Sequence, residues 1–88
     1  MKSMALRQHL ITIIIDSGVY EPPSSDDQQA FINDELDIEL ERLDIDSLAS
    51  MEICIGIELE MGVSIVPTQL SQLRTLKGLE QEIIGYKS

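Results

Sequence analysis

Between Asp46 and Gly62 the chain reads DSLASMEICIGIELEMG, and no other segment constrains the fold as strongly. Its apolar residues recur at helical spacing and do not alternate, which selects a helix over a strand. Asp46 or Ser47 starts the helix and Gly62 ends it, because Asp and Ser favour the cap and Gly the left-handed turn that stops a helix. At 100° per residue the apolar positions separate into two stripes. Ile53, Cys54, Ile57 and Met61 fall together and should face a core, while Leu48, Met51, Ile55 and Leu59 fall on another side, flanked by Glu52 and Glu58. An ordinary surface helix has one apolar stripe. We read the second stripe as a docking surface, against the plainer alternative that Leu48 and Leu59 complete a small core.

The rest of the chain supplies partners for the core-facing stripe. Leu6, Leu10, Ile13 and Ile14 make one face of a helix from Ser3 to about Ser17, with Ser3 as N-cap and Gly18 as the stop. His9 belongs on its exposed side. A long connection follows, broken by Pro22 and Pro23. So long a bare loop is unusual in a compact domain, so part of it should be ordered. Ser25 or Asp26 can cap a short helical turn through Phe31, and Ile38, Leu40, Leu43 and Ile45 should pin the remainder over the core. Pro67 opens a short helical turn to about Leu73. Thr75 caps a last helix with Leu76, Leu79, Ile83 and Ile84 inward, somewhat weakened by Gly78. The expected fold is all-α: a small bundle of three main helices plus one short helix, with a long first loop. At 88 residues it suits a single domain, spanning residues 1–88.

Charge narrows the partners. The net charge is −10, and from Asp16 to Glu60 fourteen acids face one base, Arg42. This field repels phosphate backbones, which argues against nucleic acid, and steers basic protein surfaces toward the middle of the chain. The lone cysteine, Cys54, lies in an apolar helical stretch and reads as a small buried hydrophobe. The longest purely apolar run, Ile13 to Ile15, is too short to span a membrane. A monomer in the cytoplasm is the default.

Catalytic readings fail. A nucleophile elbow needs G-x-S-x-G, whereas Ser47 lies in I-D-S-L-A, and the single His9 belongs to another helix. The acids of DELDIELERLDID lack the glycine and glutamate of a calcium-binding loop: Glu39 and Ile45, or Ala49 and Ile55, fill those places. No metal site and no glycine-rich phosphate loop can be assigned. Ser47 therefore stands at a helix start with no base of its own, either as a cap or as the residue through which the protein acts.

The stretch LDIDSLASMEICIGIELEMGVSI, Leu43 to Ile65, followed by RTLKGLEQEI, Arg74 to Ile83, resembles the acyl carrier protein family. The resembling features are Leu43, the Asp46-Ser47-Leu48 tripeptide, Glu52 five residues past the serine, the connection Gly62-Val63-Ser64-Ile65, and Thr75-Leu76 at the last helix. The resemblance covers nearly the whole chain and is looser before Asp34. Asp44 and Ala49 stand where housekeeping fatty-acid carriers often have glycine and an acid, which fits better a freestanding carrier serving a dedicated fatty-acid or polyketide-type synthase.

The resemblance implies a non-catalytic carrier. Ser47 would hold a 4′-phosphopantetheine arm, transferred from coenzyme A by a magnesium-dependent phosphopantetheinyl transferase, with Asp46 and Leu48 beside it. The arm's thiol would carry acyl groups as thioesters. Met51 and Ile55 would give partner enzymes apolar contact, and Glu52 and Glu58 would pair with the basic docking patches of acyl-loading and synthase enzymes. The acidic helix favours an acyl over an aminoacyl or peptidyl cargo. The remaining alternative is an unmodified acidic helical interaction protein in which Ser47 only caps.

Overall fold

A computed structural model describes residues 2–87. It contains five α-helices: α1 (Lys2–Asp16), α2 (Ser25–Ile32), α3 (Ser47–Met61), α4 (Pro67–Gln72) and α5 (Leu76–Lys87), with a 3-10 turn at Leu40–Leu43 before α3. No strand occurs among the described residues, and the all-α expectation holds. α1 packs against α2, α3 and α5, and α4 packs on α3.

The core gathers the periodic residues of each helix. Leu10 and Ile14 of α1, Phe31 of α2, Ile53 and Ile57 of α3, and Leu76, Leu79 and Ile83 of α5 are all fully buried. Each such side chain contributes roughly 1.5–3 kcal/mol relative to exposure. Ile38, Leu40 and Leu43 are buried and Ile45 half-buried, so the expected anchors do pin the long connection. Its last part is also tied to the bundle through the backbone. Leu40 N–H donates to the Arg74 carbonyl at 2.7 Å and Leu76 N–H to the Ile38 carbonyl at 2.9 Å. Asp37 accepts from Lys77 N–H at 3.0 Å, and Thr75 caps α5 through Gly78 N–H at 3.0 Å, as its position suggested.

Four local expectations need correction. Ser3 lies within α1 and not at its start, because the helix already runs from Lys2. The ordered part of the first loop is a two-turn helix, and its cap is Ser24, which accepts from Asp27 N–H at 3.1 Å. Asp26 and Asp27 then sit in its first turn, where the helix dipole favours them. Ile84 is 40% exposed, and the inward place on α5 belongs to Glu80, only 1% exposed. Its partner is Arg7 of α1, whose Nε lies 2.8 Å from Glu80 Oε2. Arg7 also stands over the Phe31 ring, 5.5 Å from its centroid, and donates to the Phe31 carbonyl at 3.3 Å. One buried charge pair thus joins α1, α2 and α5.

Candidate functional site

The chain enters α3 through a tightly specified approach. Leu43 is buried, Asp44 takes a left-handed conformation at φ 52°, and Ile45 is half-buried, so three consecutive residues fix where Asp46 lies. Asp46 is extended, at φ −87° and ψ −179°, and its Oδ1 accepts from Ala49 N–H at 2.7 Å. Its carbonyl accepts from Ser50 N–H at 2.9 Å. Asp46 is therefore the cap, and Ser47 is the first helical residue. Ser47 is exposed, and among the described residues no protein group holds its hydroxyl. With Ala49 N–H taken by Asp46, the Ser47 and Leu48 N–H groups are the ones that helix geometry leaves facing solvent. Positive dipole and free donors meet at the serine, which suits a phosphate ester there.

The rest of α3 carries the two stripes as the spacing predicts. Ala49, Ile53, Cys54 and Ile57 face the core. Leu48 and Leu59 are 68% and 78% exposed, with Met51 and Ile55 about half exposed between them. Glu52 and Glu58 are exposed beside this stripe. Gly62, at φ 68°, takes the left-handed position that ends the helix, and its N–H donates to the Glu58 carbonyl at 2.9 Å. The alternative that Leu48 and Leu59 complete a small core is thereby set aside: the second stripe is uncovered. Burial pushes the Cys54 thiol up and away from reactivity.

Two clefts border α3. One, of about 830 Å³, opens between the Leu40–Leu43 turn, α3 and α4; Leu40, Ile45, Ser50 and Leu70 line it, with Asp44 and Arg74 among its polar walls. Ser50 stands one helical turn beyond Ser47, so this cleft begins at the serine's end of the helix. The other, of about 520 Å³, lies between α1 and α3 under Ile55 and Leu59. His9 is exposed at its edge and lies 3.6 Å from Glu60.

One residue beside the serine escaped the sequence reading. The nearby Asp46 carboxylate, with the charge of Asp44, holds the Tyr20 phenol's pKa above the usual 10.0. The backbone supports this approach, since Glu21 N–H donates to the Leu43 carbonyl at 3.2 Å. An aromatic residue between Gly18 and the Pro22-Pro23 pair was the available signal, but nothing local says where such a loop points.

No curated protein and no solved structure matches the chain. The family model for the phosphopantetheine attachment site matches residues 29–83, more than half of the chain, from within α2 to the last turns of α5. The matched span holds a serine that an aspartate has relieved of capping, at the head of a helix with an uncovered apolar stripe. The chain thus belongs to the phosphopantetheine attachment-site family, and it is a carrier protein whose prosthetic group is 4′-phosphopantetheine.

Proposed function

We propose that this chain is an acyl carrier protein acting as one carrier domain, with the 4′-phosphopantetheine attached to Ser47. The observation that carries this reading is the division of labour at the head of α3. Asp46 makes the cap, so Ser47 has no structural task, yet its hydroxyl lies exposed where N–H donors and the dipole favour a phosphate. Asp46 and Leu48 flank the attachment point. When attached, the group supplies a thiol on which cargo rides as a thioester. The chain's own part is recognition and shelter, and we assign it no catalytic step. Its serine needs no base of its own, because a transferase acting from coenzyme A brings one.

The uncovered stripe supports docking on successive enzymes. Met51 and Ile55 offer apolar contact, and Glu52 and Glu58 offer charge to basic patches on a transferase, an acyl-loading enzyme and a dedicated fatty-acid or polyketide-type synthase. Charges at such a rim act mainly on association rate and partner choice, which suits a carrier that must let go quickly. The acidity of the helix favours acyl over aminoacyl cargo, and the cleft that begins beside Ser50 supports shelter for a short chain. No helix among the described residues is long and apolar enough to cross a membrane, and we place the protein in the cytoplasm as a monomer.

The test is intact mass after incubation with coenzyme A, magnesium and a broad-specificity phosphopantetheinyl transferase. Wild type should gain one phosphopantetheine and Ser47→Ala none. A folded wild type left unmodified beside a modified control carrier would overturn the reading, as would a gain that survives in Ser47→Ala.

A further inference from the structure

On the side of α3 that meets α1, the two helices leave an open groove of about 520 Å³. They run antiparallel: His9 lies 3.6 Å from Glu60, and Ile13 stands against Gly56 one turn further along. Gly56 sets how near they come, since a Cβ there would stand 2.9 Å from Ile13 Cγ2. Buried Ile13 and the glycine backbone therefore form the floor. The walls differ. α3 supplies Ile55 and Leu59, 46% and 78% exposed. α1 supplies Ala5, Gln8 and Thr12, all exposed and none of them a large hydrophobe. From Ala5 to Ser17 the α1 wall runs about 18 Å at the rise of a helix. Leu48 and Met51, nearer the serine, lie outside it.

The groove is apolar along one wall and negative at its rim. Asp16, Glu52 and Glu60 line it, and no lysine or arginine does. Among the described residues Asp16 and Glu52 have no ion-pair partner, and Glu60 has only His9. These charges are left for something outside the chain. An anionic lipid surface or a nucleic acid would be repelled. A second copy, with its own net charge of −10, would bring like charge against like. A protein segment with apolar residues between lysines or arginines matches both the wall and the rim. A groove of this length between two helices accepts such a segment as a helix lying along it, apolar edge down.

We propose that the groove between α1 and α3 is a docking site for a basic amphipathic helix of a partner protein. Its apolar edge packs on Ile55 and Leu59, and its cations meet Asp16, Glu52 and Glu60. This rests on the reading of the exposed α3 stripe as a docking surface, and extends that surface onto α1.

The probe is a helical peptide of leucine and lysine with its leucines on one face, titrated into isotope-labelled protein and followed by amide chemical shifts. Dissociation constants are compared for wild type, Thr12→Lys and Leu48→Lys, each checked by a melting curve. The Thr12 hydroxyl bonds only back to the Gln8 carbonyl of its own helix, at 3.0 Å, and Leu48 is 68% exposed, so both variants should fold. One places a cation in the α1 wall, and the other places the same cation on the stripe outside the groove. Amides of both helices should shift together on binding. Thr12→Lys should weaken binding about threefold to tenfold. Leu48→Lys should change it by less than about twofold at physiological salt, because it lies more than a Debye length along α3 from the groove's centre. The same peptide with alanine for leucine should bind about tenfold more weakly or worse. A larger loss from Leu48→Lys, with shifts confined to α3, would keep the docking stripe and overturn the groove. Equal affinity for the alanine peptide would reduce the site to charge and overturn it too. No shift on either helix would overturn the stripe reading together with the groove. A wild type that sediments as a dimer through these two helices would give the groove to a second copy and overturn the proposal. None of these readouts needs Ser47 to be modified, so the attachment reading stands or falls separately.

Discussion

Asp46 and Ser47 are neighbours of similar cap preference, and they have different tasks. Asp46 closes the helix through Ala49 N–H; Ser47 does not take part in capping. Their alanine variants should separate accordingly. Asp46→Ala should cost about 1 kcal/mol, the typical value of a lost cap. For a domain of this size that lowers the melting temperature by about 4–8 °C. Ser47→Ala should melt close to wild type in the same circular-dichroism experiment while losing its modification. If Ser47→Ala were instead the less stable of the two, the serine would be the cap after all. The sequence narrowed the cap of α3 to this pair but not to one member, because a cap is defined by the backbone angles of a single residue. The extended conformation of Asp46 settled the matter.

At the scale of elements, α3 was the most legible part of the chain. Its ends follow from cap chemistry and both stripes from helical spacing, and burial sorts the residues as the spacing does. The outer face should therefore tolerate charge reversal. Glu52→Lys should leave helicity and melting temperature nearly unchanged, and should slow the transferase at low salt by an amount that shrinks as salt is added. Unchanged kinetics at low salt would remove the docking role from this helix. α5 was less legible. Leu76, Leu79 and Ile83 are inward as expected, but Glu80 shares their face and Ile84 does not. Glu80 lies four residues after Leu76 and three before Ile83, so spacing pointed inward while its charge pointed outward. Gly78 was read as a weakness of α5. Its true reason is contact: a Cβ there would stand 2.5 Å from the Leu73 carbonyl oxygen.

The whole molecule is held at one side by a charge network across long sequence distances. Arg7 pairs with buried Glu80, Asp34 lies 3.5 Å from Arg7, and Lys77 reaches Asp34 at 2.9 Å. Arg7→Met leaves Glu80 buried without its cation, and should lower stability by on the order of 3 kcal/mol in urea denaturation. The double variant Arg7→Met, Glu80→Leu should recover most of that, since an apolar pair has no charge to desolvate. The hydrogen bond and charge of Lys77, with the charge of Arg7, hold the Asp34 carboxyl below its ordinary 3.8. Folding thus favours its ionised form. That contribution is complete above pH 3.8 and fades as pH falls through the lower folded value, so acid should weaken the fold. Lys77→Met should flatten this acid limb of a stability-against-pH curve; an identical limb would dissociate Asp34 from it.

The sequence by itself determined the three main helices, the core-facing residues of α1 and α3, the exposed apolar stripe of α3 and the neighbourhood of the serine. All of these depend on residues within a few turns of each other, where helical periodicity and cap chemistry act directly. Tertiary structure decided which residue caps α3, why an acid lies inside α5, and that the first loop bonds back to the approach of α3 through Glu21 N–H and the Leu43 carbonyl. Each of those depends on where distant segments come to lie: Arg7 and Glu80 are 73 residues apart. A charge becomes tolerable in a core only when the fold delivers its partner, and no local pattern encodes that delivery.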